Sequence, residues 1–119
     1  MSFRIAQKQA LKSPFLKHRV GAVITKGHRI LSTGYNEIRY SKIIGKTSLH
    51  AEAAAIKQLL DQRKLGDLVG ATLFVTRFTR GGRIGMACPC ASCMALIRAV
   101  GIRRVYYTQN DGSIGEIRP

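Results

Sequence analysis

The sequence predicts an α/β domain in which a mixed sheet of about five strands carries helices on both faces, a three-layer arrangement. Three observations predict it. Two short apolar runs joined by a tight turn near the N-terminus read as an antiparallel hairpin. Helix, strand, helix and strand then alternate, which joins parallel strands through right-handed crossovers and lays helices against a sheet. Finally, Asn110-Asp111-Gly112-Ser113 is a strong turn signal, so the last strand is expected to fold back antiparallel on its neighbour.

In order along the chain, residues 2–12 place Phe3, Ile5, Ala6, Ala10 and Leu11 among Arg4, Lys8 and Lys12, an amphipathic helix that Ser13-Pro14 ends. Residues 19–25 form a buried strand around Val20, Ala22, Val23 and Ile24, and Lys26-Gly27-His28 turns the chain into a second strand over 29–35. Residues 36–48 show no clean period and are read as a surface loop. Ser48 is expected to cap a helix running to about residue 64, with Leu49, Ala53, Ile56, Leu59 and Leu60 at helical spacing. Gly66 and Gly70 frame a linker to a third strand over 71–78. The glycine-rich stretch 79–87 reads as a flexible loop, after which Pro89 opens a helix that Gly101 closes. Strands over 102–108 and 114–117 complete the sheet.

With 119 residues there is room for one domain, 1–119, and no second. No apolar run approaches the ~20 residues of a membrane span, and the N-terminus lacks the layout of a signal peptide. A cytoplasmic location is therefore expected, with the three cysteines as thiols. Twenty Lys and Arg against six Asp and Glu give a formal charge of +14, which favours phosphate-bearing partners, nucleotides or nucleic acids.

His50-Ala51-Glu52 and Pro89-Cys90-Ala91-Ser92-Cys93 carry the chemistry. Cys90 and Cys93, three apart on the first turn of a helix, project on one side, where the helix dipole favours thiolate. With His50 they supply three ligands for zinc, leaving the fourth position open to water as catalytic sites do. The metal lowers that water's pKa towards about 7. Glu52, two residues from His50, can accept its proton and pass it on. In the expected sheet the helices starting near His50 and Cys90 begin from one edge, so their first turns face each other. Cys88 is read as a buried small hydrophobe turned away by Pro89.

These segments match the H-x-E…P-C-x-x-C pattern, and by it the chain resembles the zinc-dependent cytidine and deoxycytidylate deaminase superfamily. The resemblance extends to Arg19-Val20-Gly21-Ala22-Val23-Ile24, to Ile30-Leu31-Ser32-Thr33-Gly34-Tyr35-Asn36 and to Gly101-Ile102-Arg103-Arg104-Val105-Tyr106-Tyr107, nearly the whole chain. It implies a cytidine-deaminase-like fold, Zn2+ held by His50, Cys90 and Cys93, proton transfer by Glu52, and substrate contacts from Asn36 and Ala51. It also implies hydrolytic loss of an exocyclic amine, cytosine becoming uracil with release of ammonia.

A free cytosine nucleoside or nucleotide is the expected substrate. The rival is cytosine, or adenine, in single-stranded DNA or RNA, tracked by Lys42 and Lys46 before His50 and by Arg77, Arg80 and Arg83 before the cysteines, with Tyr35, Tyr40 or Phe78 as stacking partners. A third possibility, of another class, is a non-catalytic zinc-stabilised nucleic-acid-binding module. A pocket on so short a chain is expected to be completed by a neighbour, hence a homo-oligomer.

Overall fold

The computed structural model describes residues 2–15, 18–41 and 45–119. Helix α1 (Ser2–Ala10) precedes the long hairpin of β1 (His18–Lys26) and β2 (Arg29–Tyr35), whose turn is made by Gly27 at a φ of 61°. Strands β3 (Glu37–Ser41) and β4 (Gly45–Leu49) follow, then α2 (Ala51–Asp61), a short α3 (Leu65–Leu68), β5 (Thr72–Thr79), β6 (Ile84–Gly85), α4 (Ala91–Val100), β7 (Arg104–Thr108) and β8 (Ile114–Ile117). The main sheet runs β2-β1-β5-β7-β8, with β6 beside β5. Strands β5 and β7 are parallel, and β7 pairs with β8 as the expected antiparallel hairpin.

Alternation along the strands assigns the two faces. On β1, Gly21 lies under Ala6 and Ala10 of α1, so α1 covers that side. Val20, Ala22 and Ile24 point the other way and join Leu73, Val75 and Val105 with Ala55, Ile56 and Leu59 of α2 and Met94 and Ile97 of α4. One helix therefore covers one face and two cover the other, as three layers require. On the α1 face, Phe3 meets Phe74 edge-on at 5.2 Å and Phe74 stacks on Tyr106 at 5.3 Å.

Several sequence expectations are corrected here. The stretch 36–48, read as a loop, contains the antiparallel β3–β4 hairpin, with Ile38 opposite Ser48 and Arg39 opposite Thr47. Its β-branched and aromatic residues, Ile38, Tyr40 and Thr47, are interrupted by charges that hide the alternation. Because Ser48 belongs to β4, His50 takes the N-cap position of α2. That helix ends at Asp61 rather than near 64, since Arg63 adopts a φ of 58° that no helix continues through. The 66–70 linker lies partly in α3. Within 79–87, Gly82 turns the chain at a φ of 78° and β6 pairs with β5, Gly85 opposite Arg77.

Candidate metal centre and substrate cleft

Helices α2 and α4 begin in the same way. His50 and Cys90 are their N-caps, both in extended backbone (φ −68°, ψ 151° and φ −71°, ψ 171°), and neither side chain caps its helix. The first backbone bond of each helix closes on the carbonyl of that residue, Ala54 N–H to His50 and Met94 N–H to Cys90, both at 2.9 Å. The imidazole and the thiol are thus released from local duty and turn towards each other.

His50 Nδ1 lies 3.2 Å from Cys93 Sγ and 3.7 Å from Cys90 Sγ. The three ligand atoms fall within 4.8 Å of one another. Tetrahedral zinc with Zn–S near 2.3 Å and Zn–N near 2.0 Å would space such atoms by roughly 3.5–3.8 Å. The donor set and its spacing fit zinc.

The protonation states follow from position. Cys90 is exposed, and the Ser92 hydroxyl at 3.2 Å, together with a backbone N–H, lowers its thiol to about 7. Cys93 is buried, and desolvation together with the nearby Glu52 charge pushes its thiol well up. Binding a metal there must therefore expel a proton. Glu52 itself is 5% exposed, and burial raises its carboxyl above the ordinary value against the opposing pull of His50.

His50, Ala51, Glu52 and Cys90 line a cleft of about 470 Å³, together with His18, Asn36 and Arg77. Asn36 is held there by β1: its Oδ1 accepts from Val20 N–H at 2.9 Å and its Nδ2 donates to the His18 carbonyl at 2.7 Å. Tyr35 is turned elsewhere, into a groove shared with Glu37, Lys57 and Gln58. Arg80 lines a third depression with Arg19 and Phe78, and Arg83 is exposed on the β5–β6 turn. Lys42 and the side chains of Tyr40 and Lys46 lie outside the described residues. Cys88 is exposed and lines the cleft, contrary to the reading that buried it. In the extended segment before α4, Ala87 and Pro89 point inward, so Cys88 and Cys90 point out.

The family model of the cytidine and deoxycytidylate deaminase zinc-binding region matches residues 1–109. The chain belongs to this family. Deoxycytidylate deaminase of Mycobacterium phage D29 is 35% identical to it over 130 aligned positions, covering 90% of this chain and 91% of the relative. Among solved structures, cytidine deaminase from Burkholderia pseudomallei superposes with a TM-score of 0.72 at 21% identity, over 98% of this chain and 89% of that one. The dCMP deaminase of cyanophage S-TIM5 does so at 0.65 in its apo form, 23% identical over 93% and 82% of the two chains. Its complex with dCMP and dUMP scores 0.54, at 22% identity over 91% and 75%. These likenesses establish the deaminase fold.

Within this zinc-binding deaminase frame, sequence reasoning missed three contributors. His18 opens β1 at the rim of the cleft, and Phe15 and Met86 add apolar wall. A brace from the end of β7 also escaped notice. Thr108 Oγ1 donates to the Gly85 carbonyl at 2.8 Å, its own carbonyl accepts from Ala87 N–H at 2.9 Å, and Asn110 Oδ1 accepts from Met86 N–H at 2.9 Å. The segment leading to the cysteines is pinned by a turn that the sequence marked only as a turn.

Proposed function

We propose that this chain, 1–119 as one domain, is a zinc-dependent hydrolytic deaminase that converts the cytosine of a free nucleoside or nucleotide to uracil and releases ammonia. The observation that carries the reading is the buried Glu52 carboxyl at the wall of a cleft that His50 and Cys90 also line, with the Cys93 sulfur within 4.8 Å of their ligand atoms. Family membership and a relative named deoxycytidylate deaminase support it. Zinc held by His50, Cys90 and Cys93 would act as a Lewis acid that activates water near neutral pH.

The chain's own residues do the rest. Glu52, with its proton affinity raised by burial, takes a proton from water and delivers it to the ring nitrogen beside the reacting carbon. The water oxygen forms a bond to that carbon. Glu52 then moves the second proton to the exocyclic amine, the C–N bond breaks, and ammonia leaves. Asn36, locked by its two bonds to β1, presents a rigid polar edge to the sugar or the base. Ala51, without bulk between His50 and Glu52, lets the base approach.

A cleft of this size suits one nucleotide. Single-stranded nucleic acid is less well supported, because Arg80 and Arg83 do not line the cleft. A non-catalytic zinc module would have no use for a buried acid beside the metal site. Incubating the zinc-loaded protein with cytidine, deoxycytidine, their monophosphates and cytosine-containing oligonucleotides while following uracil formation tests the reading. Turnover of free compounds is expected; turnover confined to oligonucleotides overturns it. A homo-oligomer is also proposed, supported by the exposed apolar side chains of Leu60, Leu65 and Val69, and light scattering that reports a monomer would end that part.

A further inference from the structure

We propose that Arg77, with His18 beside it, forms a phosphate subsite in the cleft wall and makes a cytosine nucleoside monophosphate, rather than the free nucleoside, the preferred substrate. The inference rests on the deaminase reading above. It starts from strand register. Arg77 pairs with Val20 across β1 and β5, and His18 lies two residues before Val20. Side chains two apart on a strand share a face, so Arg77 follows Leu73 and Val75 towards the side of the sheet that carries α2 and α4. There it lines the same cleft as Glu52 and His50.

The strand next to it runs along its stem. Gly85 is the partner of Arg77 on β6, and a Cβ at that glycine would stand 3.5 Å from Arg77 Cδ and 2.9 Å from Thr79 Cγ2. One donor of its guanidinium is also unmet. Its Nε is buried without a hydrogen-bond partner, and among the described residues no carboxylate lies within ion-pair distance of it. A buried donor left unmade is costly, and an entering anion that accepts from it removes that cost. A guanidinium presents its donors in a planar fork that matches phosphate oxygens. Burial, and after it the charges of Arg77 and His50, hold the His18 imidazole below its ordinary value, so Arg77 is close enough to be felt there. A dianion between the two would be welcome to both.

The arrangement favours a phosphate monoester over a strand. Arg80 and Arg83, further along the same hairpin, leave the cleft instead of continuing a basic track into it. Among the described residues Arg77 is the one fixed cation in the cleft wall, which answers to one phosphate.

The test uses zinc-loaded protein and the product pair dUMP and deoxyuridine, titrated calorimetrically into wild type, Arg77→Gln and Arg77→Lys, each checked for a cooperative thermal transition. Wild type is expected to bind dUMP about 10- to 100-fold more tightly than deoxyuridine, the range of a charge-assisted hydrogen bond. In Arg77→Gln that ratio should collapse towards one, and Arg77→Lys should keep part of it. The ratio of kcat/KM for dCMP over deoxycytidine should fall in parallel. A wild-type ratio near one, or a ratio that survives Arg77→Gln, overturns the subsite. Product binding is read without turnover, so an unchanged ratio in a protein that deaminates defeats the subsite alone. Failure to deaminate any cytosine compound defeats the reading on which it rests.

Discussion

Two glycine–alanine seams hold helices to opposite faces of this sheet, and they have different consequences. On one face a Cβ at Gly21 would overlap the Ala6 carbonyl and crowd Ala10 of α1. On the other, a Cβ at Gly34 would stand 2.6 Å from Ala55 N and press on the Ala51 carbonyl of α2. Both seams let a helix backbone approach a strand closely because the strand residue has no side chain. The α1 seam continues into Phe3, Phe74 and Tyr106, which is packing and nothing else. The α2 seam ends at Ala51, between His50 and Glu52, so the placement of the metal site and its acid is inherited from a helix-on-sheet contact.

Gly34→Ala should have the largest effect: displacing the first turn of α2 by even part of an ångström should lower kcat/KM about 100-fold and weaken zinc retention. Steady-state kinetics with zinc analysis reads both. Gly21→Ala should cost about 1–3 kcal/mol of stability through overpacking, measured by urea unfolding, while the folded fraction keeps its kcat/KM. If both variants lose activity alike, the two seams are not functionally distinct. Acid should act on the metal site directly. Because burial raises the Cys93 thiol, zinc uptake expels one proton above pH 7, and below it a second from Cys90, whose thiol lies at about 7, so the fall in affinity should steepen from about tenfold per pH unit above 7 towards about 100-fold per unit below it. Competition with a chelator across pH 6–8 measures the slope. Cys88→Ser should do least, leaving one zinc per chain by metal analysis, since Cys88 stands outside the ligand cluster although it is exposed in the cleft.

Much of the site was legible before any coordinates because zinc chemistry restricts residue types and spacing so tightly. His50, Cys90 and Cys93 stand where their pattern implied, at two facing helix starts. The hairpins β1–β2 and β7–β8 were readable from Gly27 and from Asn110-Asp111-Gly112, whose turn chemistry is local. The β3–β4 hairpin was not, because Arg39 and the lysines break the alternation by which strands are recognised. Cys88 departs from its expected burial because Pro89 does not turn it away from the helix start: the extended backbone alternates and sends it out with Cys90. The separation of Arg77 from Arg80 and Arg83 was latent in the alternation of Leu73, Val75 and Arg77 along β5. It became visible only when the opposite face was known to hold the cleft.

In the proposed reaction a buried carboxyl, not the metal site alone, makes this cleft a deaminase. Glu52→Gln, purified with zinc and assayed for ammonia release from deoxycytidine and dCMP, tests it most directly. The variant is expected to fold, keep one zinc per chain and lose activity by about 10²–10⁴-fold, the worth of a positioned general acid–base. A zinc-loaded Glu52→Gln protein that releases ammonia at the wild-type rate would contradict it.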